Sequence, residues 1–106
     1  MKIHKLKNMK QGWLIGDFDP AAIKAKDFEF AIKEYKAGDV GQWHYHKVAK
    51  ELTVIISGEV QMCDQKFTKG DIITLDPGEG TEFYAVTDVV TACVKIPSVK
   101  NDKFTE

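Results

Sequence analysis

Two imidazoles and a carboxylate, His44, His46 and Glu51, stand close together in a segment that runs from Gly38 to Gly58 and reads G-x5-H-x-H-x4-E-x6-G. Imidazole nitrogen and carboxylate oxygen suit Fe(II), Mn(II), Ni(II) or Zn(II), and a set of this kind leaves coordination positions open for water, oxygen or a chelating substrate. Without a metal, the same imidazoles titrate near neutral pH. They can then carry a proton to and from a carbon beside a carbonyl, as sugar epimerisation and ketose isomerisation require. A third possibility involves no reaction: a pocket with a few convergent polar groups can hold a sugar or small organic acid as a sensor or store.

For any of these the side chains must converge, and strand periodicity supplies the means. Residues i and i+2 of a strand share a face, so His44 and His46 project the same way if Val40 to His46 is extended. Lys47 to Lys50 then turn the chain back, and Glu51 to Ser57 reads as the returning strand, with Glu51, Thr53 and Ile55 on one face. Gln42 shares the face of the histidines, and Thr81 and Phe83 share a face on a later strand. The expected pocket is therefore lined by Gln42, Thr53, Ile55, Thr81 and Phe83 around the ligands His44, His46 and Glu51, with the two histidines as the candidate catalytic residues. Alternation aims Glu82 outward.

Composition narrows the partners. Fifteen basic residues against sixteen acidic ones leave a net charge of -1, and no segment concentrates positive charge as nucleic acid or an anionic membrane would require. A small-molecule ligand is the expected partner. Every basic residue is a lysine, and the lack of arginine's planar fork disfavours a pyrophosphate-bearing substrate. No apolar run approaches the roughly 20 residues that cross a bilayer. The N-terminus MKIHKLKNMKQGW has no secretion-signal core, so a soluble cytoplasmic protein is expected. Cys63 and Cys93 fall inside apparent strands without metal-type spacing and read as buried free thiols.

The elements that must position these groups are mostly strands. The 106 residues are read as a single domain. Residues 1–27 hold short apolar pieces, Ile3 to Leu6 and Trp13 to Phe18, followed by the one helical turn, Pro20 to Lys26. Residues 28–96 form the barrel. Its strands are Phe28 to Tyr35 (Phe28, Phe30 and Ile32 on one face), Val40 to His46, Glu51 to Ser57, a hairpin of Glu59 to Cys63 and Lys66 to Thr68 about Asp64-Gln65, Asp71 to Leu75, Glu82 to Val86, and Val89 to Ile96. Residues 97–106 are a polar tail. Short strands punctuated by glycine turns argue for an all-β sandwich or barrel. Leu52, Val54 and Ile56 form a second apolar row on their strand, and Trp43 and Tyr45 face away from the histidines, so a homodimer is expected to cover them.

These residues resemble the cupin superfamily, whose first motif, G-x5-H-x-H-x3-4-E-x6-G, is matched by Gly38, His44, His46, Glu51 and Gly58. The resemblance implies a cupin-type double-stranded β-helix (jelly-roll) barrel, often dimeric, with a central pocket that binds a divalent transition metal. The second motif, approximately G-x5-P-x-G-x2-H-x3-N, is matched at Gly70 and Gly78, with Pro77 beside the proline position. Thr81 stands where that motif has its histidine, and Ala85 where it has asparagine. The implied fourth metal ligand is thus replaced by Thr81, which could still hydrogen-bond a metal-bound water. Gly41-Gln-Trp-His44-Tyr-His46-Lys47 also looks like the glycine-x-x-His-x-His-Lys element of cupin-like nucleotide-sugar ketoisomerases, which implies the metal-free alternative.

Overall fold

A computed structural model describes residues 1–106. Ten strands follow two short 3-10 turns, Leu6–Asn8 and Lys10–Gly12: β1 (Trp13–Gly16), β2 (Ile23–Lys24), β3 (Glu29–Tyr35), β4 (Val40–Tyr45), β5 (Lys50–Ser57), β6 (Glu59–Met62), β7 (Gln65–Thr68), β8 (Ile72–Leu75), β9 (Gly80–Ala85) and β10 (Val89–Ile96). They form a six-stranded sheet, β2-β1-β3-β10-β5-β8, and a four-stranded sheet, β4-β9-β6-β7. Every pairing is antiparallel except that of β1 with β2. No helix is long and apolar enough to cross a membrane.

The chain passes from one sheet to the other at Gly58, and only glycine fits there. Its φ is +89°, and a Cβ would lie 2.2 Å from the carbonyl oxygen of Asp88. Gly12 plays a similar part at the N-terminus, where a Cβ would lie 1.9 Å from the Ile32 carbonyl oxygen. That close approach seats the second 3-10 turn and Trp13 against β3.

The inner faces of the two sheets meet in two different ways. At one end Ile55, Val60, Met62, Ala85 and Val89 form a buried apolar cluster, against which Tyr35, Phe67, Ile73 and Phe83 pack. Toward the other end, the inward residues of β10 change to Thr91, Cys93 and Lys95, which pair in register with Lys33, Ala31 and Glu29 on β3. On the other side Cys93 and Lys95 pair with Thr53 and Glu51 on β5. Inward polar residues leave the barrel unfilled there, as a cavity of about 700 Å³.

Several local expectations are corrected. Pro20 to Lys26 is not helical: the Ala22 and Ala25 N–H groups donate to the carbonyls of Leu14 and Gly16. Those bonds draw Ile23–Lys24 alongside β1 instead of closing a helical turn. Ile3 to Leu6 forms no strand, and Leu6 opens a 3-10 turn. On β3 Phe28, Phe30 and Ile32 do share a face, and it is the outer one, the inward row being Glu29, Ala31, Lys33 and Tyr35. The β6–β7 turn is centred on Cys63 and Asp64, both at positive φ (51° and 58°), as a two-residue hairpin loop requires. Cys63 is therefore a half-buried turn residue, whereas Cys93 is a buried strand residue, and both are free thiols. The apolar row on the outer face of β5 is partly open to solvent, Ile56 being 44% exposed.

Candidate metal centre

His44 lies on β4 directly across from Thr81 on β9. Between Gly41 and His44 the register shifts, because three steps along β4 oppose two along β9. Such a bulge re-aims the side chains beyond it. The His44 Nδ1 lies 3.0 Å from the Gln42 carbonyl oxygen. A carbonyl only accepts, so Nδ1 carries the proton and the lone pair is left on Nε2. Burial lowers the pKa of His44, only partly offset by that hydrogen bond, so the neutral ring is favoured.

His46 follows the end of β4 and is 5% exposed. Its Nδ1 donates to the backbone carbonyl of Asp102, which again assigns the lone pair of the neutral ring to Nε2. That Nε2 is buried and makes no hydrogen bond, although the Glu51 Oε2 lies 3.4 Å away. A lone pair facing a carboxylate is repulsive unless a cation, either a proton or a metal ion, lies between them. Glu51 is ionised: burial pushes its carboxyl up, but the His46 imidazole beside it, the hydrogen bond from the Cys93 thiol and the charge of Lys95 outweigh burial and bring it to about 2.

The ligand atoms of His44, His46 and Glu51 lie within 4.8 Å of one another. The turn that joins His46 to β5 fixes this convergence. The Asp102 carboxylate accepts hydrogen bonds from the backbone N–H groups of Lys47, Val48 and Ala49 at 2.9, 3.2 and 2.9 Å. These three bonds outweigh the effect of burial and hold the Asp102 carboxyl below the usual range. Phe104 makes an isolated antiparallel bridge with Tyr45. The C-terminal segment, read from sequence as a polar tail, is thus a strap that holds both His46 and the turn after it.

Of the expected pocket residues, Gln42, Thr53, Thr81 and Phe83 line the cavity together with His44 and Glu51. Ile55 does not: it is fully buried in the apolar cluster. Thr81 is more committed than its position suggests. Its hydroxyl accepts from the Cys63 N–H at 2.9 Å and donates to the Glu82 carbonyl at 2.7 Å, leaving one lone pair and no proton to offer. Glu82 accepts from the Asp64 N–H at 3.2 Å, tying down the hairpin turn outside the cavity.

Sequence reasoning missed four groups here. Asp102 is 56 residues from His46 along the chain, and its role leaves no local pattern. Cys93 donates to the Glu51 Oε1 at 3.2 Å. Burial, followed by the charge of Glu51, raises this thiol to about 12 and keeps it a protonated donor. Lys33 and Lys95 both stand 4.8 Å from the centroid of the Trp13 ring.

Neither a protein-family model nor a curated protein matches the chain. Solved structures do, and the likeness is one of fold. A double-stranded β-helix domain protein of Klebsiella pneumoniae is 19% identical, with TM-score 0.67 over 74% of this chain and 68% of that one. The oxalate decarboxylase of Bacillus subtilis is 17% identical, with TM-score 0.64 over 76% of this chain and 24% of that one. A sugar phosphate isomerase of the cupin superfamily from Silicibacter pomeroyi is 18% identical, with TM-score 0.62 over 66% of this chain and 50% of that one. The architecture is the cupin double-stranded β-helix.

Proposed function

We propose that the protein binds one divalent transition metal through His44, His46 and Glu51, together with a small polar molecule in the cavity beside it. One observation carries this reading. Backbone carbonyls hold both Nδ1 atoms, which leaves Nε2 of each ring to meet an ion, and the buried Nε2 of His46 lies 3.4 Å from the Glu51 carboxylate with no hydrogen bond of its own. Two nitrogens and one oxygen suit iron, manganese, nickel or zinc. A fold relative, the oxalate decarboxylase of Bacillus subtilis, has Mn(II) centres. When bound, such a metal would act as a Lewis acid on a bound carbonyl or carboxylate or, for iron or manganese, take part in oxidation.

The protein's own groups would do the rest. The Gln42 and Asp102 carbonyls keep the histidine lone pairs directed at the ion. The Cys93 thiol, held neutral, hydrogen-bonds one oxygen of Glu51 and leaves the other for coordination. The apolar wall of Phe83 and Tyr35, whose rings are 4.3 Å apart, limits water on one side of the cavity.

A second reading rests on His44 alone. A neutral imidazole with a free Nε2 facing a cavity is also a general base for isomerisation or epimerisation without metal.

Elemental analysis of protein purified without an affinity tag separates the two, alongside the double variant His44→Ala, His46→Ala. Wild type is expected to carry close to one equivalent of a transition metal and the variant almost none. Equal traces in both would remove the metal reading and leave the acid–base one. That reading requires solvent deuterium to enter a candidate keto-sugar.

A further inference from the structure

Lysine is gathered at the cavity in a way the net charge conceals. Lys7, Lys33, Lys95 and Lys103 line it, against only two carboxylates, Glu34 and Glu51. Lys95 has a partner, the Glu29 carboxylate at 3.6 Å. Lys33 has no ion-pair partner; its ammonium stands over the Trp13 ring, 4.8 Å from the centroid, and Lys95 stands at the same distance from that ring. A cation over an aromatic ring gains on the order of 1 kcal/mol. Burial lowers the pKa of Lys33, and Lys95 and Lys103 push the same way, while Cys93 and the Glu51 carboxylate offset part of that shift. The metal reading adds a further positive charge, since a divalent ion held by two neutral imidazoles and one carboxylate keeps a formal excess of +1. A cavity with this balance is electrostatically incomplete without an anion.

We propose that the organic ligand of this cavity is a small carboxylate, with Lys33 as its anchoring cation and Trp13 as the platform that fixes the Lys33 ammonium. The proposal rests on the metal reading for the ligand's other end, which would meet the ion. Two features favour an organic acid over a bare inorganic anion. The walls include Tyr35, Met62 and Phe83, which would pack against a carbon skeleton. A cavity of about 700 Å³ also lies in the range used by organic ligands, roughly 300–1,000 Å³.

The test is calorimetric titration of malonate, succinate, their uncharged diamides and inorganic phosphate into wild type and Lys33→Gln, each with Mn(II) and again after chelation. Binding of Mn(II) alone is titrated in parallel. At least one diacid is expected to bind Mn(II)-loaded wild type at least tenfold more tightly than its diamide or phosphate. Lys33→Gln should weaken that binding at least tenfold while its Mn(II) affinity stays within about twofold, and Lys33→Arg should restore most of it. The proposal is overturned if no diacid binds, if diamide or phosphate binds as well, or if Lys33→Gln binds the diacid like wild type. The comparison of acid with amide needs no variant, so it decides even where Lys33→Gln does not fold. Charge-dependent diacid binding in a protein that takes up no Mn(II) would support the anion anchor and sink the metal reading; Mn(II) uptake without diacid binding would do the reverse.

Discussion

The two ends of this barrel are built from the same strands, and only the inward side chains tell them apart. Along β5 the inner row passes from Glu51 and Thr53 to Ile55, and along β10 from Lys95, Cys93 and Thr91 to Val89. The backbone ladder continues unbroken through the change, apart from one register shift between Val90 and Thr91. What differs is the work of burial. At the packed end, apolar side chains fill the space and the hydrophobic effect stabilises the fold. At the open end, a carboxylate, a thiol, two imidazoles and several lysines are held partly out of water, an arrangement that costs stability unless each group is paired or liganded. The ladder sets where side chains meet, and the choice of inward residue decides whether that place is core or site.

Cutting the packed end should have the largest effect on stability. Ile55 is fully buried among Val60, Met62, Ala85 and Val89, so Ile55→Ala removes buried methyl groups and leaves a void. A loss of about 3 kcal/mol in urea-unfolding free energy is expected, with metal content unchanged in the fraction that stays folded. A loss below about 1 kcal/mol would mean that the apolar cluster is not what holds the barrel. Loss of metal alongside the stability would mean that the two ends are not separable.

The same contrast explains what could be read from the sequence. The strands could, because alternation and glycine punctuation are local: nine of the ten fall at or near the expected segments, from Trp13 to Ile96. His44, His46 and Glu51 were legible as a group because their spacing needs only a strand, a turn and a strand, and the structure brings their ligand atoms within 4.8 Å. Contacts that join distant parts of the chain were not. The Pro20 signal suggested a helix start, but the donors of Ala22 and Ala25 are taken by β1. Asp102 looked like one more acid in a polar tail, and nothing near it shows that three N–H groups more than fifty residues upstream converge on it. The lysines at the cavity come from positions 7, 33, 95 and 103, so no window of sequence contains a basic patch. Phe28, Phe30 and Ile32 share a face as expected, but that the opposite, more polar row of β3 turns inward was not legible, because a strand beside a cavity buries function as well as hydrocarbon.

Acid should weaken the open end before it touches the packed one. In the chelator-treated protein, Glu51 has a folded-state pKa of about 2 against an ordinary 4.5. A depressed carboxyl contributes stability that is complete above its unfolded value and lost as pH falls through the folded one, so the window runs from roughly pH 5 down to 2. The stability difference between wild type and Glu51→Gln should therefore shrink across that window by an amount on the order of 2 kcal/mol. Ile55→Ala should keep a nearly constant offset from wild type over the same range. Parallel curves for wild type and Glu51→Gln, followed by chemical denaturation at each pH, would show that the His46 and Cys93 contacts do not hold the carboxylate ionised.

The smallest expected change in stability is at the strap, and it tests whether the open end depends on a part of the chain outside the barrel strands. Asp102→Ala leaves the backbone carbonyl that accepts from His46 Nδ1 but removes the carboxylate from the N–H groups of Lys47, Val48 and Ala49. Those donors sit in a turn where water can partly replace the lost acceptor, so the stability cost should resemble that of a lost cap, about 1 kcal/mol. The effect on the site should be larger in proportion. The turn sets the approach of His46 to Glu51, and loss of a group that orients metal ligands lowers affinity roughly 10- to 100-fold. Titration of Mn(II) into wild type and Asp102→Ala reads this directly. Asp102→Asn, which keeps one acceptor oxygen, should fall between them. Unchanged Mn(II) affinity in Asp102→Ala would place the C-terminal segment in the stability of the fold alone, and would locate the control of the site entirely within β4 and β5.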